Sequence, residues 1–245
     1  MPNAPAADQI RLLDVQDIDL RVQQARHRRD HLPVLAQIDE LTARVTDLDE
    51  ARVATATKAS DLRRAVQKAE DDVQVVRDRA ARDNARLEAG QGTPKDLQAL
   101  QAELAVLGRR QEALEDVELE AMEALDAAEK EHASAKEQVE AIEAQIATLA
   151  AERDAAWKDL DAELATLADE RTAAAVGLDA GLVALYEKLR ASHGGIGAAA
   201  LAQGQCLGCR TVLNPGDLRD IEARPADAIV RCEECSRILV RGAAK

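Results

Sequence analysis

From Leu97 to Leu189 the chain repeats apolar residues in alternating steps of three and four without a single proline. The steps pass through Leu97, Leu100, Leu104, Leu107, Gln111, Leu114, Glu118, Met122 and Leu125, then His132, Ala135, Val139, Ile142, Ile146 and Leu149. They continue through Leu160, Leu164, Leu167, Ala174, Leu178, Leu182, Leu185 and Leu189. Such spacing keeps one narrow apolar seam turned toward a partner helix under a left-handed supercoil. A helix of this extent would be on the order of 140 Å long at 1.5 Å per residue. It cannot form a core by itself and must lie along another helix.

A second seam supplies that helix. It runs from Leu35 to Leu87 through Ile38, Val45, Leu48, Ala59, Leu62, Val66, Ala69, Val73 and Val76. Between the two lies a turn in which Gly90 and Gly92 suit the end of one helix, Thr93 caps the next and Pro94 occupies its first position. The expected fold is mainly α, a long antiparallel coiled-coil hairpin followed by a small C-terminal β-rich zinc ribbon. Residues 1–192 make the helical part, with an N-terminal helix at 8–32, a first arm at 34–89 and a second arm at 94–190. Positions summing to about 184 should face each other across a turn centred near residue 92. The second arm outruns the first, and the segment 8–32, set off by Pro33, is expected beside the overhang at about 152–176.

Composition agrees with seams rather than a globule. The chain has no Phe, one Trp and one Tyr among 245 residues, and 32% of its residues are charged. Disorder is the competing reading of such a composition, and the sustained period argues against it. From Ser192 onward seven Lys/Arg face six Asp/Glu, so nearly all of the net charge of −14 belongs to the helical part. That part repels a phosphate backbone, and any nucleic-acid contact belongs to the ends. No apolar stretch reaches the length of a membrane span and Met1 to Ala7 has no signal-peptide pattern. A soluble, cytoplasmic protein is expected.

After Leu189 the sequence Ser192 to Gly197 reads as a helix stop, and residues 193–245 form the second domain. Strands are expected at about 199–203, 211–213, 229–231 and 238–240, with a short helix capped by Asn214 and started by Pro215. Cys206 and Cys209, then Cys232 and Cys235, are two C-x2-C knuckles separated by 22 residues. Each knuckle can place two thiolates on one metal, and the intervening chain can bring the second pair round to complete a tetrahedron. One structural Zn2+ is the expected occupant; iron also fits an all-sulfur tetrahedron, and an unmetallated redox pair is the third alternative. A site closed by four cysteines leaves no position at which zinc could activate water. Nothing else in the chain assembles a nucleophile, a base and an oxyanion site, so neither an enzyme nor a small-molecule substrate is expected.

Arg210, Arg231, Arg237 and Arg241 stand near the ligands. They either offset the −2 charge of a four-thiolate zinc centre or offer a contact surface to an acidic partner or RNA. Arg26, Arg28 and Arg29 form the other basic cluster, in a segment whose five arginines are balanced by five carboxylates. Trp157 and Tyr186 are expected to anchor the N-terminal segment or the ribbon on the overhang, and His132 to pack in the seam.

The segments TPKDLQALQAEL at 93–104, RRQEALED at 109–116, LYEKLR at 185–190, GGIG at 194–197 and RCEECSRIL at 231–239 resemble the bacterial four-cysteine zinc-ribbon proteins with an N-terminal coiled coil. The resemblance covers essentially the whole chain. It implies a cytoplasmic regulatory or adaptor protein with Cys206, Cys209, Cys232 and Cys235 as zinc ligands. Some members of that family are linked to flagellar or type III secretion through a sigma factor, secretion components or messenger RNA. Many others are classed only as probable nucleic-acid-binding proteins. The leading expectation is a non-enzymatic adaptor with a protein partner; the alternative is an RNA- or DNA-binding regulator using the ribbon arginines. The ribbon has no aromatic residue on which a base could stack.

Overall fold

The computed structural model describes residues 3–243. Its helices and strands divide between two units, Ala36–Ala150 and Met1–Leu35 with Ala151–Lys245. The packing groups the ribbon with the N-terminal helix and the last helical segments, across the expected 192/193 boundary between helices and ribbon.

The first unit is an antiparallel hairpin of α2 (Pro33–Glu88) and α3 (Pro94–Ala175), the latter continuing past residue 150. Pro33 is the first residue of α2, where its missing N–H is not needed. Gly90 and Gly92 take positive φ, as a helix stop and turn require. At the start of α3, Thr93 N–H and its hydroxyl both donate to Asp96 Oδ2, at 2.9 and 2.7 Å, and Asp96 N–H returns a bond to Thr93 Oγ1. The Thr93 hydroxyl, then its backbone N–H, holds the Asp96 carboxyl below its usual range.

Small aliphatic residues fill the seam. Ala59, Val66, Ala69, Val73 and Val76 are buried on α2, and Leu100, Leu107, Ala128, Ala135, Val139 and Ile142 on α3. Met122, expected in the seam, is 49% exposed. The rhythm passes from Glu118 through Ala121 and Leu125 to Ala128, which is wholly buried. Period, rather than side-chain hydrophobicity, decides which residue faces the partner. Salt bridges flank the seam: Arg63 to Glu129 at 2.6 Å and Arg77 to Glu115 at 2.5 Å on one side, Lys58 to Glu131 at 2.9 Å and Arg79 to Glu103 on the other. These exposed pairs add little stability each, but all of them pair only in this register. His132 does more than pack. Its Nδ1 lies 3.2 Å from the Arg52 carbonyl on the opposite arm and 3.4 Å from Thr55 Oγ1.

The second unit contains α1 (Ala6–Asp30), the end of α3, α4 (Ala180–Ser192), α5 (Pro215–Ala223) and a small sheet. The expected arm at 94–190 breaks at Val176–Asp179. Gly177 turns left-handed at φ +78, Asp179 caps α4 by accepting from Leu182 N–H at 2.8 Å, and Arg11 donates to the carbonyls of Ala174 and Val176. The α1 helix runs antiparallel to the end of α3: Arg29 meets Asp161, Arg28 meets Glu163, Arg21 meets Glu170 and Asp19 meets Arg171. Trp157 Nε1 donates to Arg29 O at 3.1 Å, and the guanidinium groups of Arg29 and Arg153 lie over its ring at 4.8 and 4.9 Å from the centroid.

Strands β1 (Ala198–Ala202), β2 (Gln205–Cys206) and β3 (Ile238–Val240) form a sheet ordered β2-β1-β3. Gln203 and Gly204, at φ +51 and +73, make the two-residue turn between β1 and β2, which pair antiparallel; β1 and β3 pair parallel. The expected strands at 211–213 and 229–231 reduce to single bridges at Val212 and Arg231. Successive residues point to opposite faces. Ala198, Ile238, Val240 and Ile229 join Leu12 and Val15 of α1 and Leu182, Tyr186 and Leu189 of α4. Ala199, Leu239 and Val230 join Cys206, Cys232, Leu213 and Ile221 on the metal side.

Polar side chains tie α1 to this unit. Gln16 accepts from Gly197 and Ala198 N–H and donates to Gly195 O, while Gln9 donates to Ala4 O and to the carbonyls of Ala226 and Asp227. Gly197 has no room for a side chain, since a Cβ would stand 2.6 Å from Tyr186 O. The buried Asp19 accepts from the Tyr186 hydroxyl at 2.6 Å and from Arg171 Nε at 2.7 Å, with Arg190 Nε at 3.5 Å. Burial, then Asp19, raises the Tyr186 pKa, so the hydroxyl remains a donor. Removing one partner from a buried ionic cluster costs about 3 kcal/mol. Asp19→Ala is therefore expected to lower the unfolding free energy by about 3 kcal/mol, seen as a lower denaturation midpoint by Trp157 fluorescence, with Asp19→Asn less damaging. An unchanged midpoint would show that the cluster does not hold α1.

Candidate metal centre

The two knuckles are the same turn made twice. Cys206 N–H donates to Thr211 O at 3.1 Å and Arg210 N–H to Cys206 O at 2.7 Å. In the second knuckle Cys232 N–H donates to Arg237 O at 2.9 Å and Ser236 N–H to Cys232 O at 2.8 Å. Arg210 and Ser236, each next after a knuckle's second cysteine, both take φ +61. That conformation costs a non-glycine residue on the order of 1 kcal/mol, and it recurs because it turns the chain back toward the first cysteine. The knuckles differ in what they lean on. A Cβ at Gly208 would meet Ala199 Cβ at 2.9 Å and Arg237 Cδ at 3.0 Å, so the first knuckle needs glycine there. The equivalent Glu234 is exposed.

All four Sγ atoms lie within 4.8 Å of one another, with Cys206 to Cys235 and Cys209 to Cys232 at 3.9 Å. These separations far exceed a disulfide bond of about 2.05 Å. Sulfurs around one tetrahedral zinc at about 2.3 Å stand about 3.8 Å apart. The four cysteines fit, and hold, one structural zinc ion. The first cysteine of each knuckle is buried and the second half-buried, so the centre faces solvent along its Cys209 and Cys235 edge. As free thiols, Cys206 is pushed up to about 12 and Cys232 is raised by burial, while hydrogen bonds from Thr211 bring Cys209 down to about 6. Only the cation makes four thiolates at this spacing compatible.

The arginines separate into two kinds. Arg237 donates to Ile196 O and His193 O, and Arg241 to the carbonyls of Ile221, Arg224, Pro225, Ala226 and Ala228. Both tie the ribbon backbone together and are half-buried. Arg210 and Arg231 are exposed, and Arg231 donates to Ser236 O at 2.7 Å. Of the α1 cluster, Arg28 and Arg29 are paired with Glu163 and Asp161, and Arg26 is exposed. Sequence reasoning missed Gln9, Gln16 and Asp19 as the residues that latch α1. Their signal was present as polar residues on the stripe of Leu12, Val15 and Ile18.

The model of a CT398-like coiled coil hairpin domain matches residues 15–194, and that of a C4-type zinc ribbon domain matches residues 205–239. An uncharacterized protein of Mycobacterium tuberculosis, found in two strains, is 33% identical over 238 residues, which is 97% of each chain. A solved structure from Mycobacterium smegmatis has 33% identity and a TM-score of 0.87, covering 98% of this chain and 100% of that one. CT398 from Chlamydia trachomatis shares the fold at 20% identity and a TM-score of 0.72, covering 96% and 98% of the two chains.

Because the sheet presents one face to the metal core and the other to α1 and α4, zinc loss reaches beyond the ribbon. Chelation, or Cys232→Ser, is expected to release one zinc and to unfold α1, α4 and α5 with the sheet, about a quarter of the helical residues. Circular dichroism before and after chelation checks this, and loss of most of the helical signal would contradict it. Zinc needs thiolates and burial raises Cys206 and Cys232, so protons compete for the site. Zinc retention is therefore expected to fall as pH falls, with a colorimetric chelator as the readout.

Proposed function

We propose, from the premise that this chain belongs to the CT398-like coiled coil hairpin family, that it is a non-enzymatic adaptor whose zinc ribbon docks a protein partner and whose hairpin serves as a spacer. The observation that carries this reading is the surface of the first knuckle. Leu207 and Val212 are 51% and 71% exposed on either side of the exposed Arg210. Two exposed apolar side chains and one exposed cation within the segment 207–212, on backbone tied to a closed metal site, suit a protein contact with an apolar centre and an acidic edge. The metal's role is to shape that surface. Four protein thiolates leave it no open position for substrate or water.

The nucleic-acid alternative draws less support. Arg237 and Arg241 are spent on backbone carbonyls, and the exposed Arg231 shares its knuckle with the exposed Glu233 and Glu234. Among the described residues no helix is long and apolar enough to cross a membrane.

A photo-crosslinking residue placed at Leu207 or Val212 of the full zinc-loaded chain is expected to capture a discrete protein in cells. Capture should be lost on adding Arg210→Glu with a Ser at the other apolar position. The same chain is expected to give no gel shift with mixed RNA or DNA at low salt. A salt-dependent shift abolished by Arg210→Glu would overturn the adaptor reading in favour of nucleic-acid binding.

A further inference from the structure

We propose that His27 and His31 form a second metal site, open and on the surface, for a borderline divalent ion such as Ni2+, Cu2+ or Zn2+. The two residues lie one turn apart at the end of α1, and both are exposed. Their ring centroids are 4.0 Å apart and their planes are inclined by 33°. Two imidazole nitrogens bound to one ion at about 2.0–2.1 Å stand roughly 3 Å apart. The rings touch, and both side chains are exposed, so rotation about their side-chain bonds is what brings one nitrogen of each to a shared ion.

A second observation concerns which nitrogen is free. His31 Nδ1 lies 2.9 Å from the His27 carbonyl oxygen. A carbonyl only accepts, so the neutral ring carries its proton on Nδ1 and presents the Nε2 lone pair outward. This is the support that a metal-bound imidazole ordinarily receives from its surroundings.

The local charge also permits a cation. Arg28 and Arg29 flank the pair with their guanidinium groups held by Glu163 at 2.6 Å and Asp161 at 2.9 Å, and the exposed Arg26 beside His27 is matched by the exposed Asp30 beside His31. The C-terminal end of α1 carries the negative pole of the helix dipole, equivalent to about half a charge. Among the described residues no third His, Cys or carboxylate joins the two rings, so the remaining positions belong to water. Imidazole ligands select borderline ions over Mg2+ or Ca2+, which prefer all-oxygen sites. The open pair thus differs in kind from the closed four-thiolate centre.

The test is calorimetric titration of Ni2+ into the full, zinc-loaded chain, with zinc content measured before and after. One saturable Ni2+ site per chain is expected, with the zinc retained. His27→Ala and His31→Ala should each weaken it by about tenfold or more. His193→Ala should leave it unchanged: His193 Nδ1 makes a similar contact with Leu189 O but has no ring stacked on it. His27→Gln leaves the His31 ring in place and keeps the test valid should His31→Ala loosen the helix end. Wild-type affinity in His27→Ala or His27→Gln, or Ni2+ uptake matched by zinc loss, would overturn the proposal.

Discussion

Four sulfurs held within 4.8 Å of one another are the constraint on which the ribbon depends. Two of them sit in buried positions that oppose ionisation. A dication reverses that preference, and its binding free energy becomes folding free energy for a segment with little apolar area of its own. The consequence extends through three short strands. Because Ile238 and Val240 face one way and Leu239 the other, ordering the sheet around the metal also completes the surface on which α1 and α4 pack. Zinc therefore supports helical structure almost two hundred residues away in sequence. The latch that joins them is polar: Gln9, Gln16 and Asp19 spend their side chains on ribbon backbone or on Arg171 and Tyr186.

The hairpin obeys a different physics. Its seam is filled by Ala, Val, Leu and Ile, so each layer buries little area and stability accumulates over many layers. A thin seam tolerates alternative registers unless something penalises them. Flanking pairs such as Arg63 with Glu129 and Lys58 with Glu131, and the half-buried His132 contact to the Arg52 carbonyl, supply that penalty. A seam of small residues also lets the charged side chains lie along its edges. Aromatic residues are confined to the other unit, where Trp157 and Tyr186 both bond to α1. There a short interface needs larger anchors.

How much of this was legible in the sequence follows from the range of each signal. The seams, the Thr93–Pro94 start of α3, the Asn214–Pro215 start of α5 and the cysteine tetrad are local patterns, and each has its counterpart in the structure. The break at Gly177 escaped because Leu178, Leu182, Leu185 and Leu189 keep the same spacing on α4 that their predecessors keep on α3. Periodicity records a face and is silent about a turn that preserves it. Met122 was misplaced for the opposite reason, since a large apolar residue stood one position from the alanine that the period requires. The parallel pairing of β1 with β3 joins segments some forty residues apart, and no local pattern encodes it. Nor could sequence divide the arginines, because what separates Arg241 from Arg210 is a cluster of carbonyl oxygens brought together only by the fold.

That division of the arginines bears on what the ribbon can recognise. Four cations beside a zinc site describe a basic surface on paper, yet two of them are turned inward to neutralise backbone dipoles at the ends of α4 and α5. What remains exposed at the first knuckle is Arg210, with Leu207 before it and Val212 after it in the sequence also exposed. Its position is inherited from the metal. The Arg210 backbone is left-handed because it closes the turn on Cys206, and Gly208 allows that turn to lie against Ala199 of the sheet. A phosphate backbone is best met by several mobile cations spread along a track. The proposed protein contact rests on this difference, since a single cation with exposed apolar residues near it in the sequence suits recognition by shape and one charge better than a phosphate track.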